Sequence, residues 1–185
     1  MSRPPLAHGK FANFAKSFAL IGGFISSTKQ VVTYLRYNMR SQIFAKSLPM
    51  PLVVGLLKRL ELIRNHPEYK EQLWTIVRAL QGGLKENGFD IGHTNTMVPP
   101  VMLKGTVGEA TGVVQDLREN YNLFCSVVVY PVIPKGMILL RLIPTASHSL
   151  EDVKETINAF SAIRSKLESG AYHMEQGIVA MGEQQ

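Results

Sequence analysis

Apolar residues recur at three- and four-residue intervals along five stretches of the chain, and that spacing predicts helices there. The first is TKQVVTYLRYN, with Val31, Val32, Leu35 and Tyr34 on one face. Leu52 to Ile63 predicts a core-facing helix, with Pro51 placed in its first turn behind Pro49. His66-Pro67 breaks that run, and Glu68 to about Glu86 forms the next helix, stopped by Asn87-Gly88. GEATGVVQDLRENYN is helical, and SLEDVKETINAFSAIRSKLESG is the strongest amphipathic pattern. Its stripe (Val153, Ile157, Phe160, Ile163, Leu167) packs on a sheet, and Ser149 with Asp152 makes a capping box. Between these lie extended segments: SFALIGGFISS with a Gly-Gly bend, a short strand in SQIFAKS, VPPVMLKG, and CSVVVYPV. MILLRLIPT follows the last of these across a Pro-Lys-Gly turn at 134–136. Helices alternating with strands from about residue 90 to 169 predict a small α/β layer.

Composition narrows the class. In 185 residues, 45% are hydrophobic and 18% charged, as in a globular domain with a sizeable core. The net charge is +6, but the basic residues are scattered and not interleaved with aromatics, which argues against nucleic acid. No apolar run reaches the length of a membrane span, and no secretory h-region follows MSRPPLAHGK. One cysteine, Cys125 in LFCSVVVY, makes neither an intrachain disulfide nor a thiolate metal cluster, so the expected setting is cytoplasmic. Histidines 8, 66, 93, 148 and 173 lack metal-ligand spacing, so no metal site is expected. Gly22-Gly23 and Gly82-Gly83 are too sparse for a nucleotide loop.

The candidate chemistry lies in a tetrapeptide that occurs twice, as NFAKSFALIGGF (13–24) and IFAKSLPMP (43–51). A lysine attacks an aldehyde only when its amine is partly deprotonated and held in place, and apolar neighbours favour the neutral form. Lys16 lies among Phe14, Ala15, Ser17 and Phe18, ahead of Gly22-Gly23, where backbone can approach a planar ligand and its phosphate. Lys46 has similar neighbours but leads into Leu-Pro-Met-Pro at a helix start.

FAKSFALIGGF, YLRYNMRSQIFAKSLP, VPPVMLKG, VVVYPVIPKG and LLRLIPTASHSLEDV together resemble, in type and order over about residues 11–168, the α-oxoamine synthases. These are pyridoxal-phosphate enzymes of fold type I that condense an amino acid with an acyl-CoA; glycine C-acetyltransferase, 8-amino-7-oxononanoate synthase and serine palmitoyltransferase are members. The resemblance implies that Lys16 forms the Schiff base with pyridoxal phosphate and moves the substrate α-proton. It implies that Arg141 holds the amino-acid carboxylate in a guanidinium fork. Ser47 falls where a hydroxyl reaches the cofactor phosphate across a homodimer interface, while Ala45 replaces the first serine of that pattern. Asn13 stands where a threonine usually binds the phosphate. Thr145 and His148 fall in the carboxyl-terminal loop, His148 orienting the last helix.

The resemblance also implies a domain plan: 1–50 the end of the cofactor-binding large domain, 51–88 connecting helices, 89–170 a small carboxyl-terminal α/β domain, and 171–185 a frayed tail. Only fifteen residues precede Lys16, and MSRPPLAHGKFA holds neither the ring-stacking histidine nor the aspartate that pairs with the pyridine nitrogen. A truncated chain with little activity alone is therefore expected. Its alternatives are a non-catalytic remnant or dimerisation module, or an aminotransferase-like enzyme of the same fold type.

Overall fold

Among the described residues 9–67, Phe14 is the one buried apolar residue, and the backbone around it is arranged to enclose it. In the computed structural model, which describes residues 9–173, strands β1 (Lys10–Asn13) and β2 (Gly23–Ser26) pair antiparallel, Asn13 opposite Gly23. The loop between them folds back on Phe14: its N–H donates to the Gly22 carbonyl at 2.9 Å, and its carbonyl accepts from Leu20 N–H at 2.9 Å. The rings of Phe18 and Phe24 pack on that of Phe14, with centroids 5.5 and 5.9 Å away. Gly22 has φ +103°, and a β-carbon there would sit 2.9 Å from Leu48 Cδ2. Only glycine serves that corner.

Helices α1 (Lys29–Asn38), α2 (Arg40–Ile43) and α3 (Met50–Asn65) follow, Pro51 lying in the first turn of α3. SQIFAKS is not a strand. Arg40–Ile43 makes one helical turn closed by Phe44 N–H to the Arg40 carbonyl at 2.9 Å, which satisfies the backbone locally. The core-facing assignment of α3 also fails: the helix is present, but none of its residues is buried, and Val54, Leu57 and Ile63 are exposed.

The chain divides into two units, one up to Pro67 and the other from Glu68. The second unit holds nearly all of helix α4 (Pro67–Glu86), strand β3 (Pro100–Lys104), α5 (Val107–Tyr121), β4 (Ser126–Val128), β5 (Met137–Arg141) and α6 (Leu150–Glu168). Gly88 ends α4 with φ +74°, and Gly136 makes the turn into β5 with φ +84°. The sheet is antiparallel in the order β3-β5-β4. Alternation places Val101, Leu103, Ile138 and Leu140 on one face, all buried. They join Leu80 and Leu84 of α4, Val113 and Leu117 of α5, and Phe160 and Ile163 of α6 in one core. Val153 and Leu167 of the expected α6 stripe are buried there, and Ile157 packs against it partly buried. The opposite sheet face carries Met102, Leu139, Ser126 and Arg141, none of them buried.

The frayed-tail expectation meets a correction at its start. Residues 174–185 lie outside the described residues, but Ala171–His173 are tied down. Asp116 on α5 accepts from Lys166 Nζ at 2.7 Å, from Asn120 Nδ2 at 2.7 Å, and from the Tyr172 hydroxyl. Beside it, His173 pairs with Glu109 at 3.6 Å.

Candidate functional site

The site residues read from the sequence fall in both units: Asn13, Lys16 and Ser47 in the first, Arg141 in the second.

Lys16 stands in the β1–β2 loop. Its carbonyl accepts from Ala19 N–H at 2.9 Å, closing a tight turn in which Ala19 takes the left-handed φ of +46°. The turn and the Phe14 anchor fix the backbone, while the side chain is exposed and no described residue bonds its ammonium. The apolar neighbours seen in the sequence do not cover it within this unit; Phe14 turns inward instead. What results is a primary amine on a fixed stalk, open to an aldehyde.

Asn13 sits at the foot of that stalk, and its Oδ1 accepts from Ala15 N–H at 3.2 Å. This turn uses the acceptor and leaves the Nδ2 donor for an anion. Ser47 is exposed in the second copy of the tetrapeptide, next to Leu48, whose side chain rests on Gly22. The two copies are thereby joined inside one unit at Gly22 and Leu48. A groove of about 680 Å³ runs beside them, walled by Phe24, Val32, Leu35 and Met39 and carrying Arg36 and Lys46 as its two cations. Lys46, rather than Ser47, lines it.

A planar aldehyde-bearing phosphate ester fits the donor set of this unit, an unpaired amine at Lys16 and an amide donor at Asn13, while the exposed Ser47 hydroxyl is open to the phosphate held by a second copy. A carboxylate for a ring nitrogen is lacking. Among residues 9–67 the one acid is Glu61, engaged by Lys58 at 3.0 Å on α3.

In the second unit Arg141 ends β5 with its side chain exposed, and its Nε donates to Ser126 Oγ at 3.0 Å. Strand register puts Ser126 opposite Arg141, a pairing that sequence pattern does not reveal. Beyond the strand, Thr145 N–H donates to His148 Nδ1 at 2.9 Å, and Thr145 Oγ1 meets Ser147 Oγ at 2.8 Å. His148 thus braces the loop ahead of α6, whose Ser149–Asp152 capping box forms as expected. The Ser149 backbone and hydroxyl bonds hold the Asp152 carboxyl below its usual range. A small cleft of about 80 Å³ lies between His148, Asp152, Cys125, Leu142 and Pro144. Burial pushes the Cys125 thiol up to about 11, so it is no nucleophile. Among the described residues no group of acids, histidines and cysteines is arranged to hold a metal, and no helix is long and apolar enough to cross a membrane.

Residues 12–160 match the family described as Aminotransferase class I and II. The chain is 62% identical over 162 residues to the cysteate-C-fatty acyltransferase of Capnocytophaga ochracea, covering 88% of this chain and 39% of that protein. It is 32% identical over 144 residues to the serine palmitoyltransferase of Sphingobacterium spiritivorum, covering 78% and 36%. Among solved structures, a serine palmitoyltransferase from S. paucimobilis with a bound PLP–myriocin aldimine superposes with TM-score 0.75 at 29% identity, covering 87% of this chain and 40% of that one. The chain thus spans about two fifths of the length of the relatives it matches.

Proposed function

The chain belongs to the class I and II aminotransferase family, its homologues are α-oxoamine synthases of PLP-dependent fold type I, and we propose that it carries the reactive lysine and the carboxylate-binding arginine of such an enzyme. The observation that carries this reading is the Lys16 amine, exposed and unpaired on a loop whose backbone is fixed at Phe14 and Gly22. The reaction is the condensation of an amino acid with an acyl-CoA. The 62% identity to a cysteate-C-fatty acyltransferase favours cysteate and a long acyl chain as the substrates. A homodimer is the expected assembly.

Bound pyridoxal phosphate supplies an electron sink next to the substrate α-carbon. Lys16 holds the cofactor by its amine and, once displaced, takes the α-proton on Nζ and returns it. Asn13 Nδ2 would donate to the phosphate held in its own subunit, and the Ser47 hydroxyl to the phosphate held in the partner subunit of the homodimer. Arg141 receives the amino-acid carboxylate on its guanidinium and fixes which α-substituent is broken. With the cofactor bound, these residues would allow a bond to form between the amino-acid α-carbon and the thioester carbonyl, the CoA thiolate leaving and the carboxylate departing as carbon dioxide.

The test adds pyridoxal phosphate to the purified chain. A band at about 420 nm, lost in Lys16→Ala, is expected. Its absence, or its persistence in the variant, overturns the role of Lys16. The exposed side chains of Phe11, Ile21 and Phe44 favour a second reading, a non-catalytic dimerisation module. That reading predicts self-association with no such band.

A further inference from the structure

Arg141 is the central-strand residue of a three-stranded sheet, so its side chain has one neighbour abreast on each side. On β3 that neighbour is Pro100; on β4 it is Ser126. Residues directly opposite in an antiparallel pair share a face, so all three side chains stand on the same open face. Proline offers no polar side-chain atom. Ser126 alone can engage the guanidinium across the sheet, and it does so, Oγ accepting from Arg141 Nε at 3.0 Å.

Which nitrogen is taken matters. A guanidinium carries five N–H donors in one plane and binds a carboxylate through two parallel bonds, side-on through Nε and one Nη or end-on through both Nη atoms. With Nε given to Ser126, the side-on pair is spent and the plane is fixed. Both Nη atoms are without partners among the described residues. The side chain is exposed, so without the serine its rotamers spread and must be collected when a ligand binds.

We propose that Ser126 is a positioning residue for the amino-acid substrate, holding Arg141 so that only its end-on fork meets the carboxylate. This rests on the reading of Arg141 as the carboxylate holder. It assigns Ser126 an effect on amino-acid affinity and none on the acyl donor.

The experiment uses the holoenzyme that carries this chain, with cysteate as amino acid and taurine, which is cysteate without its carboxylate, as the matched amine. Ser126→Ala is expected to raise the KM for cysteate roughly threefold to tenfold, the net worth of one ordinary hydrogen bond. The kcat at saturation and the KM for the acyl donor stay unchanged. Ser126→Thr, which keeps the hydroxyl, restores the KM. The spectroscopic Kd for taurine does not respond to Ser126→Ala. In the chain without cofactor, solvent exchange of the Arg141 Nε–H, followed by NMR, speeds up in Ser126→Ala. If Arg141→Lys raises the KM for cysteate while Ser126→Ala leaves it alone, the positioning role is overturned and the function of Arg141 stands. If Arg141→Lys changes nothing, the reading of Arg141 falls and takes this inference with it. Equal losses for cysteate, taurine and acyl donor in Ser126→Ala mark a merely structural contact and also overturn it.

Discussion

Single residues divided sharply in how far they could be read. Lys16 and Arg141 stand out in the sequence because the runs around them, FAKSFALIGGF and LLRLIPTASH, resemble those of the α-oxoamine synthases. Asp116 and Ser126 do not, because what makes them matter is a partner 15 to 56 residues away. Asp116 also makes a prediction. Burial alone would push its carboxyl up, but the bonds from Lys166, Tyr172 and Asn120 outweigh this and hold it below the ordinary aspartate value of 3.8. A lowered folded-state pKa means stability that is complete above the ordinary value and lost as pH falls through the folded one. Glu109, held down chiefly by the Thr106 backbone bond, adds in the same direction. Asp116→Asn is therefore expected to cost about 1–2 kcal/mol at neutral pH, discounted for the solvent around half-exposed Lys166. Its melting temperature should fall less steeply than that of the parent between pH 5 and pH 3, Glu109 keeping part of the slope. Parallel acid limbs in the two proteins would show that the cluster at Asp116 adds no stability.

Among the elements, those legible in advance are the ones whose signals are local. The α6 stripe, its capping box and the glycine that ends α4 are written within a few residues of where they act. The failures were of another kind. SQIFAKS has strand-like residues, but its backbone closed a helical turn at Arg40–Ile43 instead of pairing with a strand. The apolar spacing of α3 fixed a helix but not what covers it, since burial depends on a surface elsewhere. The β3-β5-β4 order, and with it the Ser126–Arg141 pair, comes from antiparallel register, which an apolar run such as CSVVVY leaves open. At this scale α6 is the element to perturb. Ser149→Ala removes the side-chain cap on Asp152 N–H and is expected to cost about 1 kcal/mol. Phe160→Ala empties the centre of the core, where the ring meets Phe89 edge-on at 6.0 Å, and should cost about 3–5 kcal/mol. Urea denaturation checks both: the midpoints should fall in that order with the slope unchanged.

Across the whole chain, charge and burial are unevenly shared. Residues 9–67 hold nine lysines and arginines against one acid, Glu61, and bury only Phe14 among their apolar side chains. Residues 68–173 balance ten basic residues against eleven acids and hold the entire described core. A basic unit with little interior repels itself and gains little from apolar burial, so its hydrogen bonds open at low cost. The same excess of positive charge suits a phosphate-bearing ligand near Lys16, at short range and weakened by salt. Hydrogen exchange on the intact chain separates these contributions. Amides of β3, β5 and α6 are expected to be the slowest, and those of β1, β2 and α3 to exchange far faster. Adding pyridoxal phosphate should slow exchange between Lys10 and Ser26 in the parent chain but not in Lys16→Ala. The second unit should not respond, and raising the salt should reduce the effect. Equal protection of both units in the unliganded chain would contradict the stability difference inferred from burial. Slowing that survives Lys16→Ala would mean that the phosphate is held by the surrounding cations alone and that the amine adds nothing to its capture.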